Sequence, residues 1–123
     1  MSYVERHVVS VTTASDGSAT AYTPVVTGRI HSIAYVKNNF SNGVDFTITL
    51  EATGQTVWTQ LNVDASATVL PRAATHDTAG VASLYASGGE PVEDCVCAAN
   101  DRVKIVIANG GSVTSGTFHV ILN

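Results

Sequence analysis

The chain has 123 residues, a formal net charge of −4 and only 13% charged side chains, against roughly 25% in ordinary soluble domains. Its six basic residues are scattered, which argues against nucleic acid, because phosphate binding needs clustered Lys and Arg. No apolar run reaches spanning length, so no transmembrane helix is expected.

A single domain over 1–123 is the simplest organisation at this length, and nearly all of it reads as β. Tyr3 to Thr13 is rich in β-branched residues, and the doubled Val8-Val9 interrupts the alternation as a bulge would. Glu5 and Arg6 stand where a secretory leader would begin its apolar stretch, so no leader and synthesis in a cytosol are expected. ASDGSA, residues 14–19, is a turn cluster containing the hairpin dipeptide Asp16-Gly17. Ala19 to Thr23 reads as a short strand ended by Pro24, and Gly28 to Lys37 as the next, with Ile30, Ile33, Tyr35 and Val36 as its apolar residues.

After the loop NNFSNG, residues 38–43, comes the clearest pattern in the chain: Val44, Phe46, Ile48 and Leu50 alternate with Asp45, Thr47, Thr49 and Glu51. That period of two is a half-buried strand. Beyond Gly54, Val57, Leu61 and Val63 are expected on one face of a strand, with Trp58, Gln60 and Asn62 on the other. Ser66 to Leu70 is a further candidate before Pro71. Val92 to Ala98, Val103 to Ala108 and Thr117 to Leu122 complete the set, the last two separated by the turn NGGSVTSG. The expectation is an all-β antiparallel β-sandwich, a jelly roll of about eight strands. Thr78 to Ala86 is the one stretch with a short helix in prospect.

Arg72 to Gly89, RAATHDTAGVASLYASGG, lacks the alternation of its neighbours and is long for a connection. Long loops on rigid scaffolds carry contacts. We take this segment as the candidate contact surface, with Arg72, His76, Asp77 and Tyr85 as the side chains that give it specificity. Arg offers a planar donor fork and Tyr a large contact area, both enriched at interface centres. The competing reading is a structural connection in which His76 and Asp77 bond within the loop.

Chemistry is hard to find elsewhere. The four histidines form no HxH or HExxH pair, and no GxSxG elbow is present, so no catalytic residue is assigned. Glu90, Glu93, Asp94 and Asp101 lack calcium-loop spacing and read as a solvated strand end, with Asp101 and Arg102 able to pair across a turn. Cys95 and Cys97 are too poorly placed for a mutual disulfide and lack the partners of a zinc site, so two free, mostly buried thiols are expected. No metal and no cofactor follow. Asn39-Phe40-Ser41 matches a glycosylation sequon, which carries no weight without a leader. Trp58, with Tyr35 or Tyr85, is the one possible sugar-stacking platform, although a lone Trp in a sandwich is more often core.

Three stretches, IAYVKNNFSNGVDFTITLEATGQTVW (33–58), LPRAATHDTAGVASLYASGG (70–89) and ANDRVKIVIANGGSVTSGTFHVIL (99–122), together resemble small virion structural proteins of tailed bacteriophages. The resemblance covers roughly residues 30 to 123 and has no chemical signature. It implies a jelly-roll head-decoration (cementing) protein made in the host bacterial cytoplasm and incorporated in the virion. It would contact the major capsid protein or other virion proteins and form a dimer or trimer, without nucleic acid or membrane. A tail or head-fibre component and a carbohydrate-binding module are the alternatives. Low charge agrees with a surface partly covered by other protein.

Overall fold

The computed structural model describes residues 4–123, and every regular element among them is a strand. Tyr3, placed at the start of the first expected strand, lies outside the described residues. Ten strands follow in order: β1 (Glu5–Thr12), β2 (Ala19–Tyr22), β3 (Val26–Lys37), β4 (Val44–Leu50), β5 (Thr56–Val63), β6 (Ala67–Val69), β7 (Arg72–Ala74), β8 (Glu93–Asp101), β9 (Val103–Ala108) and β10 (Ser115–Leu122). They form two antiparallel sheets. One runs β1-β10-β3-β8-β7, with β6 also on β3, and the other runs β2-β9-β4-β5.

The pairings are nested about the middle of the chain: β1 with β10, β2 with β9, β3 with β8, and β4 with β5. Cross-pairs β10·β3 and β9·β4 then close each sheet. β10 runs along one edge of β3 from Ile30 to Lys37, so β8 and β6 divide its other edge: Val26–Ile30 run with β8 and Ile33–Tyr35 with β6. The turns after β1 and after β9 therefore carry the chain from one sheet to the other. Asp16-Gly17 makes a tight turn, with Gly17 at φ +83°, but it does not close a hairpin.

Alternation builds the core. Val44, Phe46, Ile48 and Leu50 of β4 all point inward, opposite Ile30, Ile33 and Tyr35 of β3 and Phe118, Val120 and Leu122 of β10. Ile30 and Ile33 share a face despite their odd spacing. The β3–β10 register slips at this point, leaving His31 as an extra residue between Ile30↔Leu122 and Ser32↔Ile121. Rings join the two sheets: Phe46 of β4 lies 4.7 Å from Tyr35 and 5.1 Å from Phe118 of the facing sheet. Phe40, in the β3–β4 loop, completes the cluster. It fits because residue 116 is glycine; a Cβ there would stand 2.6 Å from the Phe40 ring.

Several expectations fail locally. The β1–β10 ladder is unbroken from Glu5↔Leu122 to Thr12↔Ser115, so Val8-Val9 is no bulge: Val8 points out and Val9 in. β5 departs from alternation through two register shifts against β4, so Val57 and Trp58 are both buried while Leu61 is 67% exposed. Asn62, at φ +58° with its N–H on Asp45 Oδ1 at 2.9 Å, holds one of these irregularities. Val36, counted as apolar, lies on the outer face of β3. Thr78–Ala86 is not helical. Gly80 and Gly88 both have left-handed φ, and the backbone between them bonds across to other segments.

Tyr35 is 1% exposed, and its hydroxyl has no hydrogen-bond partner among the described residues. Burial pushes its pKa above the ordinary value. The unfolded chain ionises this phenol at about pH 10 while the folded chain does not, so its contribution is intact below that pH and is lost as pH rises beyond it. Tyr35→Phe should leave stability at neutral pH unchanged or raise it by up to about 1–3 kcal/mol, since it removes an unpaired buried group. It should also flatten the alkaline decline. Denaturant titrations at pH 7 and above pH 10 check both; a fall at pH 7 would show that the hydroxyl is satisfied.

Candidate functional site

The segment between β6 and β8 is surface-exposed and heavily hydrogen-bonded. β7 pairs the start of β8, with Arg72 opposite Cys95 and Ala74 opposite Glu93. From there the chain makes two small excursions, tied together by a closed ring of backbone bonds. Thr75 N–H donates to Val92 C=O at 2.8 Å, Val92 N–H to Ser83 C=O at 2.9 Å, and Ser83 N–H to Thr75 C=O at 2.9 Å. Isolated bridges His76↔Ala82 and Leu84↔Pro91 extend each excursion.

Asp77 turns the first one. Its Oδ1 accepts from the N–H groups of Ala79 (2.9 Å) and Val81 (3.0 Å), and its own N–H reaches Val81 C=O. This is the local-bonding role of a turn aspartate, and Gly80 supplies the left-handed residue at φ +80°. Gly89 N–H to Ala86 C=O closes the second excursion, where Tyr85 N–H also bonds Glu90 C=O. Arg72 is held at the base, its Nη1 donating to Pro71 C=O at 2.7 Å and His31 C=O at 3.4 Å. Tyr85 is 76% exposed, and His76 is also at the surface. Among the described residues no hydrogen bond joins any two of Arg72, His76, Asp77 and Tyr85. Arg72 stands at the base in β7, His76 and Asp77 on the first excursion and Tyr85 on the second. Asp77 is therefore a turn residue first.

The sequence reading missed the apolar residues of this segment. Val81 is 61% exposed, and Leu70 and Leu84 are exposed as well. A Val-Ala-Ser-Leu-Tyr run (81–85) with neither helical nor strand spacing was the available signal, because apolar residues without a periodic face have no core to enter.

Other candidates change place. Trp58 is core, packed edge-on against Phe46 at 5.3 Å, with Nε1 donating to Gln60 Oε1 at 3.0 Å. Tyr35 is core too, so neither offers a sugar platform. Asp101 is buried, and its Oδ1 accepts from Ala52 N–H (3.0 Å) and Arg102 N–H (2.7 Å). It pins two loops and is not part of a solvated strand end, unlike exposed Glu90, Glu93 and Asp94. The Arg102 guanidinium pairs with Glu51 and lies 4.0 Å over the Tyr22 ring. Cys97 is exposed and Cys95 partly so, against the expectation of buried thiols. No group of three or more His, Cys, Asp or Glu suited to a metal occurs among the described residues. The chain matches no protein-family model, no characterised protein and no solved structure.

Asp77→Ala should loosen the first excursion without melting the domain. Amide exchange at Ala79 and Val81 should accelerate, while global stability shifts by about 0.5 kcal/mol or less, as for an exposed surface substitution. Exchange at these amides no faster than in the unchanged chain would mean that the ring of backbone bonds alone holds the turn.

Proposed function

We propose that the protein is a non-enzymatic bacteriophage virion component, a capsid-decoration protein of jelly-roll type that stabilises the head through protein–protein contacts. The observation that carries this reading is the segment 72–92. It holds exposed Val81, Leu84 and Tyr85 on a hydrogen-bonded frame, in a chain with few charges to keep neighbours away. Exposed apolar side chains on an ordered loop are what a docking surface requires. The nested pairing of β1·β10, β2·β9, β3·β8 and β4·β5 supports the jelly-roll assignment, since it is a long antiparallel ribbon folded over into two four-stranded layers. On this reading β6 and β7 belong to an insertion between the fifth and sixth ribbon strands.

The partners are the major capsid protein or other virion proteins, with a second or third copy of the chain completing a dimer or trimer. Affinity in such a coat comes from many repeated contacts, so no single residue needs special chemistry. A tail or head-fibre location would use the same surface.

Tyr85→Ala and Arg72→Ala test the assignment, with attachment to particles assembled without the protein and thermal stability measured side by side. At least one variant should weaken attachment by about 1–2 kcal/mol or more with melting little changed. Loss of folding with unaltered attachment, corrected for folded fraction, would make the segment structural only. Failure to attach to any particle would remove the decoration role.

A further inference from the structure

β8 carries the only two cysteines of the chain on either side of Val96. Val96 and Ala98 point into the core, so Cys95 and Cys97 share the outer face, and neither is bonded. Two strand residues advance about 6.6–6.8 Å, the upper end of the Cα separation for a disulfide, and the parallel Cβ directions keep the sulfurs from closing to about 2.05 Å. An ion about 2.3 Å from each sulfur instead spans an S···S distance of about 3.8 Å in bent geometry and about 4.6 Å in linear geometry. Side-chain rotation alone reaches that range. The spacing that excludes a bond between the sulfurs suits an ion between them.

Charge agrees with this. Arg29 lies opposite Cys97, and Arg72 opposite Cys95, in the ladders. Arg29 directs both its N–H and its C=O at Asn123 on the far side. Arg29–Cys97 is therefore a non-hydrogen-bonded pair, the kind in which side chains approach most closely. On the other flank Asp94 is turned back, its Oδ1 accepting from Cys95 N–H at 2.7 Å. Among the described residues no third metal-ligating side chain joins the two thiols. A closed four-ligand zinc site within one chain is thereby excluded, which leaves an ion satisfied by two soft ligands.

We propose that Cys95 and Cys97 chelate one thiophilic monovalent ion, copper(I), on the outer face of β8. Soft thiolates favour copper(I), zinc and iron–sulfur clusters. Zinc and the clusters need more ligands than the two thiols supply, and copper(I) is the one that two can satisfy. Binding involves no electron transfer. Each S–H bond breaks, two protons pass to solvent and two Cu–S bonds form, giving a complex of charge −1 on a face where Arg29 and Arg72 stand in register opposite the two cysteines.

The full chain, reduced and kept anaerobic, is titrated against the copper(I)–bicinchoninate complex, with copper counted per chain and the oligomeric mass followed in the same samples. One copper(I) per chain with no change of mass is expected. Cys95→Ser and Cys97→Ser should each weaken binding by about a hundredfold or more through loss of the second ligand's effective concentration. Arg29→Ala should cost about tenfold, as a neighbour that tunes the ligands does. No transfer of copper, binding undiminished in either serine variant, or half an equivalent per chain with doubling of mass would each overturn the chelate. Melting of each variant is checked first; if one fails to fold, the stoichiometry and mass of the unmodified chain decide the matter.

Discussion

Contact between Phe46 and the rings of the opposite sheet is the constraint on which the rest of the structure depends. Phe46 belongs to the β2-β9-β4-β5 sheet, and its ring meets Tyr35 and Phe118 of the other sheet edge-on. Trp58 packs against it from within its own sheet. Edge-to-face rings add about 0.5–1.5 kcal/mol to the burial term and fix an orientation that aliphatic contacts would leave loose. Other features follow from accommodating this cluster. Gly116 is bare so that Phe40 can close its end. β5 is twice irregular, and as a result Val57 and Trp58, neighbours in sequence, both enter the core. The hydroxyl of Tyr35, without a hydrogen-bond partner among the described residues, is a further consequence of placing that ring between the sheets.

Much of the β-structure is legible in the residues because its rule is local. The period of two places β9 (Val103–Ala108) to the residue and β4 to within one, the alternation running to Glu51 and the strand to Leu50, and the burial of Val44, Phe46, Ile48 and Leu50 follows from it. What fails is whatever depends on a partner strand. Asp16-Gly17 has the composition of a hairpin turn, yet β1 and β2 pair with β10 and β9 in different sheets, which no local pattern encodes. Leu61 and Trp58 exchange roles because of bulges set by the β4 register. Val8-Val9 resembles a bulge in isolation, but β10 runs straight beside it. In the candidate site, exposure of the 72–89 segment was legible from its missing alternation. The ring of Thr75, Ser83 and Val92 was not, since it joins three positions by backbone groups that every sequence possesses.

The nested pairing also gives the segment its freedom. β1 needs β10 and β2 needs β9, so the structure closes through contacts distant in sequence, which makes for slow folding. The segment between β6 and β8 lies outside that closure: its bonds run among residues 71–95, apart from the Arg72 contact to His31 C=O. Changes there need not propagate into the Phe46 cluster. A surface that must match a neighbouring subunit is best carried by such a segment.

The same arrangement decides what the ring of backbone bonds contributes. An irregular exposed loop that ordered only on docking would lose roughly 1–2 kcal/mol per residue in backbone entropy at that moment. With Thr75, Ser83 and Val92 closed on one another, and Asp77 holding the turn beyond, that ordering has already occurred on folding. On the proposed reading these bonds act on affinity more than on stability, because pre-organisation lowers the cost of association without adding a contact. Val81, Leu84 and Tyr85 then reach a partner already oriented, and the hydroxyl of Tyr85 can find its hydrogen bond on the far side of the interface. The frame holds Val81 and Tyr85 by their backbone groups and leaves their side chains to make the contact, whereas the side chain of Asp77, chosen from sequence as a contact, is spent on the frame itself.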